Sequence, residues 1–66
     1  MEIKFNKNIY KEKAIRGAIK EFSHLADFNM QAAAKYITVN IKNIDKDVQD
    51  VIKDEFGNYV LYLMNK

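Results

Sequence analysis

At 66 residues and 7.7 kDa the chain has room for a single domain, residues 1–66, near the small end of the range in which domains fold alone. It contains no cysteine and one histidine, which excludes disulfide staples, thiolate chemistry and the usual zinc ligand sets. Eleven lysines and arginines against nine acids leave a net charge of +2, too even a balance for a protein built around phosphate neutralisation. No apolar run approaches the ~18 residues of a membrane span, so a soluble cytoplasmic protein is expected. A domain of this size buries only about 60% of the surface that its unfolded chain exposes. Its stability must therefore come from tight packing or from self-association.

In chain order, residues 2–6 alternate polar and apolar, with Ile3 and Phe5 on one face, which is the period of a half-buried strand. Asn6 and Asn8 then flank a turn. Ala14, Ile15, Ala18, Ile19, Phe22 and Leu25 recur at helical spacing, predicting an amphipathic helix of about four turns over residues 11–25. Gly17 lies inside it at a cost of up to ~1 kcal/mol relative to alanine, which either marks a close approach to the sheet or to another helix or is simply tolerated.

Beyond Asp27 the period returns to two. Phe28 and Met30 alternate with Asn29 and Gln31, and Ile37, Val39 and Ile41 form the apolar row of a second, more β-favourable segment. These read as a hairpin whose first strand is short and polar, as edge strands tend to be. Its connection, Ala32-Ala33-Ala34, lacks the Gly, Asn or Asp that tight hairpin turns require. A longer ordered loop, a helical turn, and alanines introduced in place of charged turn residues all fit.

Asp45 or Asp47 can cap a final helix over residues 46–64, with a main stripe of Val48, Ile52, Phe56, Tyr59, Val60 and Leu63, widened by Val51. Acids crowd its first turns and Lys66 lies beyond its end, as the helix dipole favours. Gly57, Leu61 and Met64 form a second, narrower line that one small sheet does not cover, a candidate contact for a partner or a second copy. The order is therefore βαββα, an α+β domain with a three-stranded sheet in spatial order 1-3-2. Both helices pack on one face and the other face is polar. The first and second strands are its edges.

No residue set in this chain points to catalysis. His24, near the expected end of the first helix, has Asp27 three positions on, but a solvent-facing histidine near a helix C-terminus accounts for it. Ser23 adjoins His24 and cannot face it on a helix. Asp45, Asp47 and Asp50 lack the glycine and glutamate of a calcium loop. Gly17 and Gly57 are both helical and far apart, so no phosphate-cradling loop exists, and no metal or cofactor is expected. The excess charge falls in the first half, where Lys7, Lys11, Lys13, Arg16 and Lys20 make one side of the first helix basic. Such a face is usually solvated, and weak nucleic-acid binding is the lesser reading. Tyr10 and Tyr59 fall on or beside apolar rows, whereas Tyr36 and Tyr62 lie off them and are better recognition candidates.

Phe5-Asn6, Ile9-Tyr10, Ala14-Ile15, Ala18 and Phe22, the segment from Tyr36 to Ile41, and the ending Glu55-Phe56-Gly57-Asn58-Tyr59-Val60-Leu61 together resemble the small HxsD proteins of His-Xaa-Ser systems. The likeness spans nearly the whole chain, although this chain is shorter than expected and its alanine turn departs from usual hairpin chemistry. The resemblance implies an accessory role beside radical S-adenosylmethionine enzymes and a repeat-bearing precursor peptide. The expected function is then non-catalytic recognition of a precursor peptide or partner enzyme by strand addition, at the edge carrying Phe28, Asn29, Met30 and Gln31 and helped by Tyr36. A self-associating structural or regulatory domain, using Gly57, Leu61 and Met64, is the competing expectation.

Overall fold

In the computed structural model, which describes residues 1–65, β1 (Glu2–Asn6), α1 (Glu12–Phe22), β2 (Asp27–Ala32), β3 (Tyr36–Lys42) and α2 (Ile52–Met64) follow one another in the expected βαββα order. The sheet is antiparallel throughout, in the order β1-β3-β2. Alternation dictates which face is buried. Ile37, Val39 and Ile41 of the central strand are buried, with Phe5 and Ile3 of β1 and Phe28 and Met30 of β2 packed beside them. The opposite face carries Lys4, Thr38 and Gln31 in one cross-strand row and Glu2, Asn40 and Asn29 in the next, with no helix over it.

Phe56 of α2, fully buried, is the hub of the core. Its ring lies 6.1 Å from Phe5, 5.7 Å from Phe22 and 5.2 Å from Phe28, so that one side chain ties α2 to β1, α1 and β2. Each aromatic pair adds about 0.5–1.5 kcal/mol beyond area burial. Tyr10 and Tyr59 sit at the rim, against Phe5 and Phe22 respectively. The two helices meet at Gly17, where a Cβ would fall 2.8 Å from Leu63 Cδ1. The glycine predicted to mark a close approach thus faces the other helix. A methyl there would meet the flexible end of the Leu63 side chain, which would have to turn aside.

Both helices are shorter than predicted. α1 ends at Phe22, and Ser23, His24 and Leu25 form a turn in which the Leu25 N–H donates to the Phe22 carbonyl at 2.9 Å. Leu25 still packs on the core, from the turn rather than from the helix row. The predicted 46–64 helix is broken. Asp45, one of the two expected caps, accepts from the Asp47 N–H at 2.9 Å and starts a 3-10 turn, Lys46–Val48, before α2 begins at Ile52. A tighter winding of three residues per turn takes Val51 off the 3.6-residue row, and it is 46% exposed instead of widening the buried stripe. Lys66 lies outside the described residues.

The hairpin connection contains no helical turn. Ala32 belongs to β2, opposite Ile37, and the Ala33 N–H donates to the Tyr36 carbonyl at 2.8 Å. No residue of this loop has a positive φ. Its shape is held from outside by Lys7, whose backbone N–H donates to the Lys35 carbonyl and whose Nζ donates to the Ala33 carbonyl, both at 3.0 Å. Ala33 and Ala34 suffice in this connection, where the neighbouring loop supplies the restraint that glycine or asparagine gives elsewhere. Asn43 alone among the non-glycine residues described has a positive φ, 52°, and its Nδ2 donates to Asp27 Oδ2 at 2.7 Å.

Candidate functional site

The edge formed by β2 has a definite chemical pattern. In an antiparallel pair, residues alternate between those that exchange backbone hydrogen bonds with the partner strand and those whose backbone groups point away. The Ala33 to Tyr36 bond, carried back along the register, assigns Asp27, Asn29 and Gln31 to the ladder with β3. Phe28, Met30 and Ala32 therefore turn their N–H and C=O groups outward, as a free edge does.

Clefts lie on both sides of this edge. On the helix side, Arg16, Ile19 and Lys20 of α1 face Phe28 and Met30 across a cleft of about 390 Å³. Its floor is apolar and its α1 wall is cationic. Arg16 is held by Glu12, with Nε and Nη2 each 3.2 Å from Glu12 Oε2, so Lys20 carries the uncompensated charge. On the open face, Asp27, Asn29, Asn40 and Lys42 line a second cleft of about 430 Å³, with Phe28 at the edge between them.

Of the sequence-predicted partner residues, Phe28, Asn29 and Met30 come together at this edge. Gln31 continues its open face, opposite Thr38. Tyr36 is 47% exposed but stands at the start of the central strand, opposite Asn6 of β1, and lines neither cleft. Arg16, Ile19 and Lys20 are the addition that the structure makes. Ile19 was visible as part of an apolar row and the two cations as a basic face, but spacing along a helix carries no record of which strand it lies over.

Gly57 and Leu61 line a cleft of about 490 Å³ with Ile3, Phe5 and Tyr10 of the β1 side. Met64 instead lines a groove with Leu63, Gly17 and Ala14, beside Lys11 and Lys13. Of the residues expected to make the first helix basic, Lys11 and Lys13 line one groove, Arg16 and Lys20 another, and Lys7 anchors the hairpin. His24 is exposed, and the Asp27 carboxylate is bonded to Asn43. Among the described residues no three His, Asp or Glu side chains are grouped to hold a metal, and no helix is long and apolar enough to cross a membrane.

No family model, curated protein or solved structure matches the chain.

Proposed function

We propose that this domain is a non-catalytic binding module that takes an extended peptide onto the free edge of β2. The observation that carries this reading is the outward backbone of Phe28, Met30 and Ala32 set between a cleft on each face of the sheet. An added strand directs alternate side chains to opposite faces. Backbone bonds give affinity, and the two clefts give selectivity. Side chains on the helix side meet Ile19, Phe28 and Met30 beside Lys20, which suits apolar residues and an acid. Those on the other side meet the amides of Asn29 and Asn40, which suits hydroxyl or amide residues.

The resemblance to HxsD proteins gives the module its context in this reading: a cytoplasmic accessory that holds a precursor peptide, or a strand of its modifying enzyme, during maturation. Catalysis and cofactors lie with the partner.

A blocked hexapeptide, acetyl-Thr-Val-Thr-Val-Thr-Glu-amide, titrated against the nitrogen-15-labelled protein, tests the proposal. Amide shifts should concentrate at residues 28–32 and on α1 near Lys20. Lys20→Glu should weaken binding about tenfold, and replacing the peptide's glutamate with lysine should restore affinity to that variant. Shifts confined to the β1 side, or binding indifferent to Lys20, would overturn the assignment.

A further inference from the structure

We propose that a second copy of the chain adds to the free edge of β1, joining two three-stranded sheets about a two-fold axis at Ile3. This concerns the edge opposite the peptide-accepting one and does not depend on that reading. Met1 and Ile41 exchange both backbone bonds, at 2.7 and 3.0 Å, and the Lys7 N–H reaches the Lys35 carbonyl. By alternation Ile3 and Phe5 bond to β3, and Glu2 and Lys4 turn their backbone groups outward, whereas the Asn6 carbonyl already accepts from the Ile9 and Tyr10 N–H groups.

Two antiparallel copies of this edge must set outward residues against outward residues, which leaves few registers. An axis at Glu2 opposes Glu2 to its own copy, and an axis at Lys4 does the same for Lys4. Like charges directly opposite each other destabilise a strand pair, and opposite charges stabilise it. An axis at Phe5 leaves Glu2 without a counterpart. An axis at Ile3 sets Glu2 opposite Lys4 of the second copy, and by symmetry Lys4 opposite its Glu2.

The same register is favourable on the helix side, where it sets Ile3 against Ile3 and Met1 against Phe5. Met1 is 49% exposed and Leu61 43%, and both flank this edge. Gly57 leaves open space where a Cβ would stand, with no atom within 4 Å, so α2 presents a shallow surface on which Leu61 of the second copy can rest. Met64 faces the other groove and takes no part. Such an isologous contact closes on itself, and it leaves both β2 edges free at the ends of the joined sheet.

Sedimentation velocity over a concentration series up to the millimolar range tests this. The wild type should be a dimer. Glu2→Lys and Lys4→Glu should each weaken it about tenfold or more by opposing like charges, with circular dichroism unchanged. Mixing the two single variants should give a heterodimer, and the double exchange should restore the homodimer. A wild type that stays monomeric overturns the proposal. So does a dimer that survives either single substitution, or one that the double exchange fails to rescue.

Discussion

Phe28 stacks on Phe56 with ring centroids 5.2 Å apart and planes 22° from parallel, so β2, whose outer backbone is bare, is fastened to the core from its inner side. Held by this stack and by its ladder with β3, β2 keeps its shape with its outer side unpaired. Phe56→Ala should remove about 3–5 kcal/mol, comparable with the whole stability of roughly 3–10 kcal/mol for a domain of this size, and the variant should be largely unfolded by circular dichroism. Phe28→Ala, at a half-buried site, should cost about 1.5–3 kcal/mol in urea denaturation. It should also speed amide hydrogen exchange along β2 more than along β1. Equal acceleration in both edge strands would show that the stack does not hold β2 in particular.

The two glycines offer a controlled contrast. Both are in helices, and each replacement by alanine gains about 0.5–1 kcal/mol of helix propensity. At Gly57 the new methyl meets open space, so the full gain should appear in the melting temperature of the monomeric Lys4→Glu background. At Gly17 it falls 2.8 Å from Leu63 Cδ1, and part of the gain is lost in turning Leu63 aside. Gly57→Ala should therefore be the more stable of the two, and Gly17→Val should be destabilising by about 1–3 kcal/mol.

The hairpin loop reverses the usual rule. No residue in it needs a positive φ, so Ala34→Gly should destabilise by about 0.4–1 kcal/mol, where glycine normally helps a turn. Lys7→Met, which keeps the apolar stem and removes the Nζ bond to the Ala33 carbonyl, should cost less than about 1 kcal/mol in an exposed setting. Its signature is local: faster exchange of the Ala33 amide, with β1 and α1 unaffected.

Much of this fold is legible in local pattern. The alternation of Ile37, Val39 and Ile41, the helical recurrence from Ala14 to Phe22, and the choice of the most apolar strand as the central one all follow from periodicity and burial. What escaped depends on longer-range or finer choices. The break before Ile52 arises because the Asp45 cap starts a 3-10 turn, a competition between two windings that hydrophobic spacing does not register. The alanine connection is explained by Lys7, more than twenty residues away. At the candidate site, Phe28 to Met30 could be read as an edge, but the cationic wall of Arg16 and Lys20 exists only because α1 lies over β2.

The Met30 N–H is the group on which strand addition most directly depends, and the chain is short enough for chemical synthesis. N-methylation at Met30 removes one outward donor and leaves the β3 ladder intact, whereas proline at Asn29 would remove a ladder bond and disturb the hairpin. The strand-addition account predicts that the N-methyl-Met30 protein folds normally and binds acetyl-Thr-Val-Thr-Val-Thr-Glu-amide at least about fivefold more weakly, one net hydrogen bond being worth roughly 1 kcal/mol. Unchanged affinity in a protein with an unperturbed spectrum would contradict it.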